Sequence, residues 1–131
     1  MVGTDQRLMT TDPQPIRRMK TYTGGQGYVY QYYFVGKRKA SDTSVPSTEY
    51  VFDVTSDRKT MFAVSVFLSE EVLKSWTASH GRALTDAEQY GAVKMRLFQA
   101  FDEIEDMMAQ GRRLQMDAAT LEERLAMLGV A

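Results

Sequence analysis

Residues 60–76 read TMFAVSVFLSEEVLKSW, and the spacing of the apolar residues changes within this stretch. Up to Leu68 the apolar side chains follow the alternation of a strand. One face of that strand carries Phe62, Val64, Val66 and Leu68. From Ser69 the pattern is that of a helix, because a hydroxyl residue followed by two carboxylates favours a helix N-terminus. A strand that leads directly into a helix predicts a mixed architecture.

Two further strands are predicted before this one. Tyr28–Lys37 and Glu49–Thr55 are both rich in aromatic and β-branched residues that alternate along the chain. Residues 40–47 have the composition of a loop, and residues 56–59 form a polar link that is short enough for a hairpin. The three strands are therefore predicted to form an antiparallel meander.

Two helices are predicted after the meander. The first begins at Ser69 and ends near Gly81, because glycine is a common residue at a helix end. Thr85 and Glu88 have the spacing of a capping box, which marks the start of the second helix. Apolar residues then recur at helical spacing as far as Met108, so this helix is predicted to be long and amphipathic.

A third, shorter helix is predicted near the C-terminus. Residues 110–113 interrupt the apolar repeat, and the new helix is expected to begin near Asp117 or Thr120. The fold class predicted from these elements is α+β, with a three-stranded antiparallel meander followed by two or three helices on one of its faces.

The chain is predicted to divide into three parts. Residues 1–20 are polar and contain two prolines, which is typical of a flexible or strap-like arm. Residues 21–110 hold an α+β core domain, and residues 111–131 hold a C-terminal amphipathic helix. A length of 131 residues with 44% hydrophobic residues is ordinary for one globular domain.

The residue types argue against an enzyme. The chain has no cysteine, which removes disulfides, thiolate metal sites and cysteine nucleophiles. His80 is the only histidine, and it lies at a predicted helix end with no nucleophile motif beside it. Gly24, Gly25 and Gly27 lead into a strand, whereas a phosphate-binding loop leads into a helix. We therefore predict no enzymatic activity, no cofactor and no metal.

The apolar runs are too short for a membrane span. The first residues also lack the apolar segment of a signal peptide. We therefore expect a cytoplasmic protein without a membrane partner.

Charge is distributed unevenly along the chain. Residues 1–40 carry seven basic and two acidic residues, whereas residues 41–131 carry nine basic and fifteen acidic ones. A basic patch can bind a polyanion or match an acidic surface of another subunit. The candidates for nucleic-acid binding are Arg17, Arg18, Lys20, Lys37, Arg38 and Lys39.

The first predicted strand is unusually aromatic. Tyr28, Tyr30, Tyr32 and Phe34 share one of its faces. Such a row could stack nucleic-acid bases, with the basic residues holding phosphates. It could also fill the core or cover a face against a partner, and the burial habits of aromatic residues favour this structural use.

Carboxylates are densest around residues 102–106, where Asp102, Glu103, Glu105 and Asp106 are predicted to form the solvated face of the long helix. Asp53 lies in the middle of the second predicted strand. We expect it to pair with Arg58 or Lys59, or to face solvent.

The apolar faces suggest a protein partner. The last helix carries a stripe of Leu121, Leu125 and Leu128, and both faces of the first strand need cover. We therefore predict a small non-enzymatic protein-interaction protein, a subunit, regulator or inhibitor that forms a homodimer or joins an assembly. The predicted partner-binding residues are Tyr28, Tyr30, Tyr32, Phe34, Leu121, Leu125 and Leu128. The alternative is a nucleic-acid-binding module that uses the strand aromatics and the basic N-terminal patch.

Overall fold

The computed structural model describes residues 18–130, which form a mixed sheet with helices packed against it. The strands of this part of the chain are β1 (Lys20–Thr23), β2 (Val29–Lys39), β3 (Ser47–Thr55), β4 (Phe62–Ser69) and β5 (Arg113–Met116). Its helices are α1 (Glu70–His80), α2 (Asp86–Glu103), α3 (Met107–Gln110) and α4 (Ala118–Met127). The predicted α+β class is confirmed.

The sheet is wider than predicted. Its strand order is β1-β2-β3-β4-β5 within the described residues, and the pairs are antiparallel except for β4 and β5, which run parallel. Strands β2 to β4 form the predicted meander, and β1 and β5 extend it on either side. The prediction of three strands missed both outer strands because each has only four residues, too few for an alternating pattern to show.

The core lies between the sheet and the helices. Alternate residues of β2, β3 and β4 are buried on the face that meets the helices. The helices contribute Trp76, Val93, Leu97, Phe101, Leu121 and Leu125 to the same cluster. Burial of one such large apolar side chain contributes about 1.5–3 kcal/mol to folding, so this single cluster is the main source of stability.

The predicted helix starts are confirmed by their hydrogen bonds. The Ser69 hydroxyl accepts from the backbone N–H of Val72 at the start of α1. Gly81 ends that helix in the left-handed conformation, with a φ angle of 73°. Thr85 and Glu88 form both hydrogen bonds of a capping box at the start of α2. These local signals were visible in the sequence because they depend on residues only three positions apart.

The C-terminal third differs from the prediction. Helix α2 ends at Glu103, before the predicted end at Met108, because Ile104 has extended backbone angles. Met108, which continued the apolar spacing past this break, is exposed, and its neighbour Met107 in the short helix α3 packs in the core instead. Asp117, one of the two predicted starts, caps α4 by accepting from the backbone N–H of Thr120.

The turn between β1 and β2 rests on the C-terminal end of α2. The Asp102 carboxylate accepts from the Tyr22 hydroxyl at 3.0 Å and from the Gly25 backbone N–H at 2.8 Å. A Cβ atom at Gly24 would lie 2.6 Å from the Phe101 carbonyl oxygen, so this close approach requires glycine. Asp102 is exposed, as predicted, but it also joins two elements that sequence spacing did not connect.

Residues 18–20 do not fit the predicted division of the chain, because Lys20 already belongs to β1. The rest of the predicted arm lies outside the described residues. At the other end, α4 packs against α1 and α2. Among the helices of residues 18–130, none combines the length and the apolar character that a bilayer crossing requires.

Candidate protein-binding surface

The aromatic row of β2 belongs mainly to the protein's own core. Tyr30 is 2% exposed and stacks on Phe101 with ring centroids 4.2 Å apart. Tyr32 is 4% exposed, and Phe34 is partly buried against the same cluster. Only Tyr28 of the four is an exposed side chain, at 45%. The row therefore does not present a continuous aromatic surface to a ligand.

The leucines of the last helix divide in the same way. Leu121 and Leu125 are fully buried between α4 and the rest of the core. Leu128 is 44% exposed, and its neighbour Met127 is exposed as well. What remains at the surface is a small apolar patch at the end of α4.

The basic candidates follow one edge of the sheet. Arg17 lies outside the described residues, Arg18 lies two residues before β1, and Lys20 is the first residue of β1. Lys20 is paired with Tyr32, so it is separated from Lys37 by roughly 16 Å of strand length. Arg18 lines a small pocket with Tyr33 and Phe34, which lie between these two positions along β2. The described basic candidates therefore form a strip along this edge.

Strand β2 continues well beyond its partner on this edge. Strand β1 pairs with β2 only from Val29 to Tyr32, whereas β2 runs to Lys39. Within residues 18–130, no strand lies against this side of Phe34–Lys39. We call Phe34–Lys39 the β2 overhang. It contains a register shift between Phe34 and Gly36, which is the mark of a β-bulge.

The backbone of the overhang offers hydrogen-bonding groups to a partner. The Ala40 N–H donates to the Ser47 carbonyl at 2.9 Å, so residue 40 faces β3. Backbone groups in an antiparallel ladder alternate between the two sides of a strand. Arg38 therefore also faces β3, whereas Lys37 and Lys39 direct their N–H and C=O groups toward the side that no strand of residues 18–130 covers, which we call the open edge.

Arg38 is held in place on the outer face, the side of the sheet opposite the helices. Its guanidinium donates from Nε to Glu49 Oε1 at 3.0 Å and from Nη2 to Oε2 at 3.2 Å. The Ser65 hydroxyl donates to the same Oε2 at 2.6 Å. The hydrogen bond from Arg38 lowers the pKa of Glu49, against the opposing effect of burial, and the Ser65 hydroxyl lowers it further. This carboxylate is thus kept charged although it is only 8% exposed.

The outer face is partly covered by the chain itself. Phe67 points to this face and is nevertheless buried. The Arg113 guanidinium lies 4.5 Å from its ring centroid and forms an ion pair with Asp42 at 3.4 Å. The loop between β2 and β3 therefore closes one end of the outer face.

An apolar depression remains beside the overhang. Val35, Gly36 and Val51 line it together with Lys37 and Arg38, and its volume is about 190 Å³. Val35 is 38% exposed. The open edge is thus bordered by positive charge on one side and by a small aliphatic hollow on the other.

Asp53 has a different partner from those expected. The Tyr33 hydroxyl donates to its carboxylate at 2.7 Å across the β2–β3 pair. Of the two alternatives expected for Asp53, the structure shows neither a pair with Arg58 or Lys59 nor a fully solvent-facing side chain, because Asp53 is partly buried and cross-strand register decides which side chains meet.

His80 also has a partner that the sequence did not reveal. Its Nε2 lies 2.9 Å from the Glu122 carboxylate of α4, and its ring stacks on Trp76 at 4.1 Å. This contact joins α1 to α4. The described residues include no group of three or more side chains of the metal-ligating types that could hold an ion.

No protein-family model matches this chain, and no curated protein or solved structure is similar enough to match it. Its described part is defined by its fold alone, as a small α+β domain with a mixed sheet.

Proposed function

We propose that this chain is a small, cytoplasmic, non-enzymatic protein-interaction protein that serves as a subunit or regulator and binds a partner along the β2 overhang. The observation that carries the proposal is that β2 extends beyond β1 and leaves the outward backbone groups of Lys37 and Lys39 without a strand partner in residues 18–130. Open strand edges of this kind are used for recognition by added strands.

An open edge is also a hazard, and lysines and bulges are common protections against unwanted pairing. Both occur here, so they do not distinguish a protected edge from a binding edge. Features of the outer face favour a binding edge over a protected edge. Val35 and Val51 form an aliphatic hollow directly beside the edge, and Arg38 is fixed by Glu49. Preorganised groups next to an apolar pocket are what a binding surface needs.

Charge argues against a second copy at this edge. Edge-to-edge pairing of two β2 overhangs would bring Lys37 and Lys39 of both copies together on the helix side of the sheet. Like charges on neighbouring strands are destabilising. A partner with acidic residues is therefore favoured over a homodimer built on this surface. The exposed Met127 and Leu128 remain available for a separate contact.

The alternative, a nucleic-acid-binding module, has less support. Five of its six basic candidates lie in the described residues, and they are exposed. However, Tyr30 and Tyr32 are buried, so they offer no stacking surface for bases. A salt series of fluorescence anisotropy with labelled single-stranded and duplex oligonucleotides separates the two proposals. Tight binding that weakens steeply with salt would favour the nucleic-acid alternative.

Site-specific photo-crosslinking in cells tests the proposal. A photoreactive amino acid is placed at Lys39 on the overhang and, as a matched control, at the exposed Lys74 on α1. We expect a protein adduct of one defined mass from position 39 only, with the partner identified by mass spectrometry. Equal adducts from both positions, or none from position 39, would contradict the proposal.

A further inference from the structure

We infer that the occupant of the β2 overhang is an extended segment of a partner protein in which acidic and apolar residues alternate, and that it joins the sheet as a new edge strand. This inference rests on the proposed function and specifies the chemistry of the partner.

The first part of the argument is the backbone. Lys37 and Lys39 direct N–H and C=O groups outward at every second position, as the Ala40–Ser47 hydrogen bond shows. Only another extended backbone presents complementary groups at the same spacing. A helix or a nucleic-acid strand does not.

The second part is the charge on the helix side of the sheet. Lys37 Nζ lies 5.8 Å from the centroid of the buried Tyr50 ring and 3.9 Å from Asp86, so this side chain projects toward the helices. Lys39, two residues further on, projects to the same side and has no ion pair within residues 18–130. Side chains on an added strand would lie about 4.5–5.5 Å from these lysines at alternate positions. A carboxylate beside Lys39 would meet a charge that has no ion pair in residues 18–130, and a carboxylate beside Lys37 would add to its long, exposed contact with Asp86.

The third part is the outer side of the sheet. The intervening residues of an added strand would point toward the hollow of Val35 and Val51. Arg38 is directed at Glu49, so its charge is already compensated. A volume of about 190 Å³ accommodates one aliphatic side chain. The two sides of the edge thus require acidic and apolar residues in alternation.

The binding experiment uses a fluorescein-labelled eight-residue peptide of alternating glutamate and valine with the full chain. The control peptide carries lysine in place of every glutamate. We expect saturable anisotropy with the acidic peptide and none with the basic one. Affinity for the acidic peptide is expected to fall at least tenfold in the double variant Lys37→Glu/Lys39→Glu, and to stay within twofold in Lys74→Glu, whose substitution lies on α1.

A proline variant separates backbone pairing from charge attraction. Lys39→Pro removes an outward N–H and leaves the pairing with β3 intact, because residue 39 does not donate to β3. Lys39→Gln removes the same charge and keeps the N–H. Strand addition requires weaker binding by Lys39→Pro than by Lys39→Gln. Circular dichroism confirms that each variant is folded. If the proline variant is not folded, protection of the Lys37 and Lys39 amides from hydrogen exchange on peptide binding decides between backbone pairing and charge attraction.

Several outcomes overturn the inference. Equal binding by Lys39→Pro and Lys39→Gln shows that the peptide is held by charge alone. Failure of the acidic peptide to bind, while position 39 still crosslinks one partner, removes strand addition and leaves the proposed function standing. If the acidic peptide does not bind and position 39 gives no crosslink, both the strand addition and the proposed function are excluded. A dimer in light scattering that Lys39→Pro dissociates would make a second copy the occupant.

Discussion

At the scale of single residues, the clearest constraint is the contact between Gly24 and the end of α2. Gly24→Ala places a Cβ atom 2.6 Å from the Phe101 carbonyl oxygen, which is fixed backbone. We expect a loss of about 1–3 kcal/mol of unfolding free energy from the forced displacement, measured by urea denaturation.

Gly25→Ala is the matched control for that substitution. Its Cβ atom would lie 3.6 Å or more from Asp102, which is an ordinary contact. We expect a change within about 0.5 kcal/mol. If the two glycine variants unfold at the same urea concentration, the close approach of the turn to α2 is not as described.

The surroundings of the predicted partner-binding residues could be assigned only in part from the sequence. The alternation of β2 correctly placed Tyr30, Tyr32 and Phe34 on one face. It could not tell whether α2 covers that face, because the covering ring of Phe101 lies about seventy residues away in the chain. The contact between Arg38 and Glu49 was equally invisible, since it depends on the register of the β2–β3 pair.

At the scale of elements, the start of α2 has a pH dependence that can be measured. The Arg82 guanidinium and the Thr85 backbone N–H lower the pKa of Glu88 from 4.5 to about 2. Because the folded-state pKa is below the unfolded-state value, this stabilisation is present above about pH 4.5 and is lost as the pH falls toward 2.

The variant Glu88→Gln isolates that effect. The difference in unfolding free energy between the wild type and this variant is expected to be constant above pH 4.5 and to shrink as the pH falls toward 2. Thermal or urea unfolding across this pH range measures it. A difference that does not vary with pH would show that the capping carboxylate has the same pKa in both states.

The hairpin of β1 and β2 is a second element whose stability can be tested. Asp102→Ala removes the acceptor for the Tyr22 hydroxyl and the Gly25 N–H. We expect amide exchange in β1 to become several-fold faster while exchange in β4 is unchanged, as for a local opening. Glu103→Ala is the neighbouring control. Equal exchange in both variants would contradict the role of Asp102.

The elements themselves were predictable where their patterns are long. Strands β2, β3 and β4 each have eight or more residues, and α1 and α2 have strong capping signals. The short β5 was missed because Arg113–Met116 has too few residues for a period, and because three helices separate it in the chain from β4, the strand with which it pairs. Its pairing is set by tertiary packing and not by local sequence.

At the scale of the whole molecule, basic and acidic residues are concentrated in different layers of the described part. The sheet and its loops, residues 18–69 and 112–116, carry nine basic and four acidic residues, whereas the remaining described residues carry five basic and eleven acidic ones. The sequence showed the asymmetry along the chain, and the fold converts it into an asymmetry between two layers. This separation should attract the acidic partner that we propose for the sheet edge, and its rate of association is expected to fall as salt increases.

The most direct test of the proposed binding edge is amide hydrogen exchange at Lys37, Arg38 and Lys39, measured by NMR with and without the alternating acidic peptide. In the protein alone, we expect slow exchange at Arg38, which faces β3, and fast exchange at both lysines. With the peptide bound, both lysine amides should become protected. Binding that leaves these two amides as fast as before would contradict the assignment of the β2 overhang as the site of strand addition.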